Sequence, residues 1–152
     1  MKALGRMGIL GAALALALTL ASCSGGDSSA GIGRGMETDN PSDVLSEVID
    51  RYTAGDDYMS LFGSDVDESA TKVAVAQWQE DGGRIFAVIQ SGAEVFETLT
   101  GDKPKVGKGE TLLGFYVGTE QGFEEIKGHG YALVSEGDPG KYYVAEFGYG
   151  TL

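Results

Sequence analysis

Lys103, Lys105 and Lys108 fall within six residues, between Gly101 and Gly109. Three ammonium groups on one loop form a candidate site for a sulfate, a phosphate or the carboxylates of a protein partner. The spacing is not that of a nucleotide phosphate loop. Five residues rather than four separate Gly101 from Gly107, Gly109 stands where Ser or Thr would hold magnesium, and a strand pattern follows where a helix is required. The competing explanation is a solvated hairpin loop whose lysines discourage edge-to-edge pairing.

Other chemistry is sparse. His129 is the only histidine, so any Ser-His-Asp or Cys-His mechanism would have to use it. It stands between Gly128 and Gly130, which reads as a loop, and no Gly-x-Ser-x-Gly elbow accompanies it. One histidine and one cysteine supply no zinc-ligand pair. Asp65-Val66-Asp67-Glu68 places carboxylates at alternating positions, as calcium loops do, with Asp56 and Asp57 nearby. The later Gly and Glu of an EF-hand are missing, so Asp65 and Asp67 are calcium candidates against a default of a solvated acidic loop. The remaining carboxylates are too scattered to single out an acid–base pair for glycoside hydrolysis. No cofactor or metal motif is present, which points to a binding or interaction domain more than to an enzyme.

The C-terminal stretch is dense in aromatics: Tyr142, Tyr143, Phe147 and Tyr149. On a strand Tyr143, Phe147 and Tyr149 share one parity, while Tyr142 and Val144 share the other. One parity must face the core. If the second is exposed, its tyrosines form a flat amphipathic surface suited to sugar or protein, so Tyr142, Tyr143 and Tyr149 are candidate contact residues.

The elements that would position these residues follow from periodicity. Asn40-Pro41-Ser42-Asp43 is a helix start, since Asn caps, Pro suits the first turn and Asp43 sits at the positive end of the dipole. Val44, Leu45, Val48, Ile49 and Tyr52 recur at helical spacing, and Gly55 fits the stop. Residues 58–62 read as a short turn or an edge segment. Residues 72–79 and 84–90, joined by Glu80-Asp81-Gly82-Gly83, read as a hairpin. Residues 94–100 read as a third strand, 111–117 as a fourth and 119–127 as a short helix or wide loop. Residues 131–135 and 141–147 read as a last hairpin around Glu136-Gly137-Asp138-Pro139-Gly140. The expected class is α+β, an N-terminal helix packed on an antiparallel, hairpin-linked sheet.

The N-terminus carries a different signal. Lys2 and Arg6 precede a 14-residue apolar run from Met7 to Leu20, too short for a bilayer span of about 20 residues. The run leads through Leu20-Ala21-Ser22 to Cys23, the only cysteine. This stretch resembles the lipobox of bacterial lipoproteins. The resemblance implies cleavage after residue 22, a diacylglyceryl group on Cys23 and anchoring to a bacterial membrane on its exported side. Ser24, where a retention signal would have Asp, implies the outer membrane if the host has one. Two acyl chains suffice for stable anchoring, and a lone exported thiol would otherwise be a reactive liability. Residues 23–40 read as the lipidated cysteine and a Gly/Ser-rich tether, and 41–152 as one domain.

Charge narrows the partners. The chain has 11 basic and 23 acidic residues. Loss of Lys2 and Arg6 with the signal leaves nine basic against 23 acidic, a net charge of −14. Such a domain repels phosphate backbones, so nucleic acid is excluded as a partner. The sequence Val48-Ile-Asp-Arg-Tyr-Thr-Ala-Gly-Asp56 is similar to the first helix and turn of nuclear-transport-factor-two-like domains, which implies a cone-shaped pocket. Three expectations result: an envelope-anchored binding module with a protein or cell-wall ligand; a pocket protein acting as carrier or small-substrate enzyme; and an inhibitor or immunity-type lipoprotein that uses its acidic surface on a basic enzyme.

Overall fold

The computed structural model describes residues 33–89, 92–118 and 125–152. The order is β1 (Met36–Glu37), α1 (Asp43–Ala54), a 3-10 turn (Met59–Leu61), α2 (Glu68–Glu80), β2 (Arg84–Ile89), α3 (Ala93–Thr100), β3 (Glu110–Gly118), β4 (Ile126–Glu136) and β5 (Lys141–Thr151). The strands form one antiparallel sheet in the order β1-β5-β4-β3-β2. The class is α+β, with the N-terminal helix packed on the sheet as the periodicity predicts.

The start of α1 differs from its sequence reading: the helix begins at Asp43, Ser42 is at the cap without a side-chain cap bond, and Pro41 precedes it. The Asn40 side-chain oxygen accepts the Ser42 amide at 3.2 Å, and Gly55 closes the helix in the left-handed conformation at φ 79°. Its stripe of Val44, Leu45 and Val48 is fully buried. Residues 58–62 satisfy both readings given above: Met59–Leu61 is a 3-10 turn, and Phe62 bridges to Val144 on the sheet edge. The segment assigned to the tether is ordered at its end. Arg34 donates to the carbonyls of Met59 and Phe62 at 3.2 and 3.1 Å, and Met36–Glu37 pairs with β5, so the described domain begins before Pro41.

Two segments read as strands are helices. Residues 72–79 lie in α2, which Asp67 caps by accepting the Ala70 amide at 2.9 Å. Thr71, Val75 and Trp78 recur every three to four residues and are buried, while Val73 is 70% exposed. The Val/Ala-rich composition suggested a strand, but the burial period is 3.6. The turn at Glu80–Gly83 therefore joins a helix to β2 instead of closing a hairpin. Residues 94–100 lie in α3, where Val95, Phe96 and Leu99 form one apolar side and Gly101 ends the helix at φ 77°. The expectation of a helix or loop over 119–127 lies mostly outside the described residues, with Ile126 and Lys127 already in β4.

Helices cover both faces of the sheet. On one face α1 and α2 enclose Trp78, Phe62, Phe115, Val117, Val134 and Val144. On the other, α3 packs Val95 and Phe96 against Leu112, Tyr131 and Leu133. The C-terminal hairpin is observed, with an irregularity that matters. Leu133 pairs with Glu146 and Val134 with Val144, so Ala145 is an extra residue in β5. This bulge inverts the parity downstream, so that Tyr142, Val144, Phe147 and Tyr149 all pack on the α1/α2 core.

Helical and strand readings of α2 make opposite claims about Val73 and Val75, which a strand would place on one face. Val75→Ala is expected to cost about 1.5–3 kcal/mol, the worth of a fully buried valine. Val73→Ala is expected to be neutral or slightly stabilising, since Ala is the better helix former. Urea unfolding followed by the fluorescence of Trp78, the only tryptophan, reads both; equal losses would contradict the helix.

Candidate functional site

Chain direction builds a slot on the α3 face. The helix crosses the sheet from Gly92, tight against the β3 backbone at Leu113 and Gly114, to Leu99, which lies over Gly150 of β5. After Gly101 the chain must return to β3, and residues 102–109 make that crossing. Between helix and returning loop lies a slot of about 490 Å³, walled by Phe96 on one side and by Pro104 and Val106 on the other. Its floor is one cross-strand row, Leu112, Leu133 and Glu146. Past Leu112 a second hollow of about 320 Å³ extends between Ala93 and Val106.

The loop is held from below. Glu110 accepts the Gly107 amide at 2.6 Å with one carboxylate oxygen and the Ser135 hydroxyl at 3.3 Å with the other. The Thr100 hydroxyl accepts the Asp102 amide at 3.1 Å. Val106, at the loop's crest, is 48% exposed. Lys103, Lys105 and Asp102 line the slot with their side chains exposed. Neither lysine makes a hydrogen bond or ion pair with another described residue. Glu146 accepts the Tyr131 hydroxyl at 2.9 Å through Oε1, and Oε2 has no partner among the described residues. Lys108 lies outside the slot lining, at the approach to β3.

The other candidates are dispersed. His129 is in the middle of β4, not in a loop, facing Gly150 across the pair with β5. Its ring meets Tyr116 edge-on at 6.3 Å, and burial lowers its pKa. No described carboxylate or hydroxyl stands within hydrogen-bonding distance of it, so it has no orienting partner for catalysis. Asp67 is the cap of α2 and Asp65 accepts from the Ser64 hydroxyl at 3.3 Å. Asp57 accepts the Ser60 amide at 3.2 Å. Among the described residues no three His, Cys, Asp or Glu side chains converge as a metal site would require. Tyr142 and Tyr149 turn to the α1/α2 core while Tyr143 packs beside Gly63, so the three tyrosines share no single face. Tyr149 donates to Asp81 at 3.0 Å, and Thr151 donates to the same oxygen at 2.9 Å.

Sequence reasoning thus found two residues of the slot, Lys103 and Lys105, and missed Phe96, Leu112, Leu133 and Glu146. The missed residues converge only if 93–100 is helical and only if the bulge at Ala145 turns Glu146 to the α3 face. Comparison with protein-family models, curated proteins and solved structures returns no match.

Tyr131 and Tyr149 share a consequence. Burial first, then the bond to Glu146 or Asp81, raises both phenols above their usual value of 10.0. A pKa raised on folding stabilises below the unfolded value, and that stability is lost as pH rises through the folded one. Above about pH 10 the unfolded chain sheds these two protons while the folded chain keeps them. Each phenol should then lower the unfolding free energy by about 1.4 kcal/mol per pH unit. Tyr131→Phe and Tyr149→Phe should each make the alkaline limb shallower by up to that amount in urea titrations, the partial exposure of both phenols reducing it, and unchanged slopes would contradict the part-buried hydrogen bonds.

Proposed function

We propose that this protein is a lipid-anchored binding module of the bacterial envelope, with the slot between α3 and the 102–109 loop as its ligand site. The observation that carries the ligand site is a row of apolar side chains bordered by two carboxylates and by two lysines that make no ion pair among the described residues. Two exposed lysines and two carboxylates around a leucine floor are what a small polar-ended ligand needs. A site of this kind needs no catalytic group, which suits a domain whose one histidine has no orienting partner among the described residues.

Anchoring rests on Leu20-Ala21-Ser22-Cys23 and on the basic, apolar and small-residue order before it. Among the described residues no helix is long and apolar enough to cross a membrane. A diacylglyceryl group on Cys23 holds the domain at the surface by its buried methylenes, about 0.8 kcal/mol each. The pocket-protein reading draws less support, because Trp78, Phe115 and Phe147 fill the space between α1, α2 and the sheet with rings 5.0 to 5.9 Å apart.

Expression of the full chain in a bacterium tests the anchoring. The membrane fraction should contain protein that begins at Cys23 and carries the mass of two or three acyl chains, and Cys23→Ser should remain uncleaved and unlabelled by radioactive palmitate. A cleaved, soluble protein with a free thiol would contradict it. Titration with small anionic and peptide probes should shift the NMR signals of Leu112, Leu133 and Phe96. Capture of a basic protein, lost at high salt and unaffected by substitutions in the slot, would favour the inhibitor reading instead.

A further inference from the structure

We propose that the slot binds a short peptide of two or three apolar residues with free termini. Its ammonium would lie at Glu146 and Asp102, and its carboxylate between Lys103 and Lys105. The proposal rests on the slot being the ligand site and adds the class of ligand.

Three observations select this class. The first is charge of both signs in one slot. An acyl carboxylate would satisfy the lysines but press an apolar tail against two carboxylates, and a neutral sugar would hydrogen-bond to the four groups through its hydroxyls but leave their charges uncompensated. A ligand with one positive and one negative end answers both. The Tyr131 hydroxyl donates to one oxygen of Glu146 and so fixes the carboxylate, leaving the second oxygen free to accept from an ammonium. The second observation is length. The floor row Leu112-Leu133-Glu146 crosses three strands, and two inter-strand steps of about 4.8 Å make roughly 10 Å. Two to three extended residues, at about 3.3–3.6 Å each, span that distance.

The third is the apolar character between the charges. Leu112 and Leu133 form the floor, and the Phe96 ring, braced edge-on against Tyr131 at 4.7 Å, forms the wall. Aliphatic side chains of a peptide would cover these groups, and the volume of about 490 Å³ is in the range of small-ligand sites.

The test is calorimetry on the full-length lipidated chain in detergent micelles, with leucyl-leucine, its N-acetyl form, its C-terminal amide and octanoate as probes. Leucyl-leucine should bind, and each capped form should bind at least tenfold more weakly. Glu146→Gln, which can still accept from Tyr131, should weaken leucyl-leucine at least tenfold and leave the N-acetyl form unchanged. Lys103→Ala combined with Lys105→Ala should weaken leucyl-leucine at least tenfold and leave the amide unchanged. Lys72→Ala, distant and paired with Glu68, should change nothing. Thermal unfolding identifies any variant that fails to fold. Equal binding of the N-acetyl form, or of octanoate, would overturn the peptide assignment while leaving the slot as a ligand site. Absence of heat with all four probes, and of any NMR shift at Leu112, Leu133 and Phe96, would overturn both.

Discussion

The rings of Phe115, Tyr131 and Tyr149 lie flat across neighbouring strands because the positions beneath them have no side chain. A Cβ on Gly130 would stand 2.3 Å from the Phe115 ring, one on Gly148 2.3 Å from the Tyr131 ring, and one on Gly128 2.0 Å from the Tyr149 hydroxyl. Real side-chain carbons do not approach so closely, so these aromatic–glycine pairs require the glycine. They let both faces be covered at short range. On the α1/α2 face, Phe115 stacks between Phe147 and Tyr149 at 5.9 and 6.3 Å, and Trp78 closes over them. On the opposite face, Gly114 admits Val95 and Gly150 admits Leu99, which draws α3 down onto the strands.

From that constraint the slot follows. With α3 lying across β3, β4 and β5 from Gly92 to Leu99, the chain can regain β3 only by crossing the same face in return, and the gap between helix and loop is the candidate site. Glu110 fixes the far end of the crossing by holding both Gly107 and Ser135. The bulge at Ala145 adds the last component. In a regular, unbulged strand Glu146 would share the parity of Val144 and point into the α1/α2 core. With the bulge, the carboxylate faces the slot and the rings of Phe147 and Tyr149 join Val144 inside.

What the sequence discloses divides along the same lines. The α1 stripe, its Gly55 stop, β3 and the last hairpin are legible because one period and one turn signal each suffice to define them. Residues 72–79 mislead because Val73, Ala74 and Val75 satisfy a β-rich composition, while the informative set, Asp67 as cap with Thr71, Val75 and Trp78, needs burial to be singled out. The short segment from Ala93 to Thr100 carries β-branched and aromatic residues that suit either state, and tertiary contact with Gly114 and Gly150 decides for helix. His129 misleads in the other direction: its flanking glycines suggest a loop, but Gly128 and Gly130 are there to receive aromatic rings within a strand. A one-residue bulge has no local signature in Val144-Ala145-Glu146, so the side to which each tyrosine turns was not readable. The lysines were found because clustered charge is a property of sequence; their apolar floor is a property of three strands in register.

The slot exists only if residues 93–100 form a helix seated on the glycines of the outer sheet face. Nuclear Overhauser contacts in the isotopically labelled protein address that condition directly. A helix in this place requires cross-peaks between the Phe96 and Tyr131 rings, whose centroids lie 4.7 Å apart, and between the Val95 methyls and Gly114 Hα, together with sequential amide contacts through 93–100. Strong sequential Hα–amide contacts through that segment, with cross-strand partners in place of the Phe96–Tyr131 and Val95–Gly114 pairs, would show an added strand and contradict it.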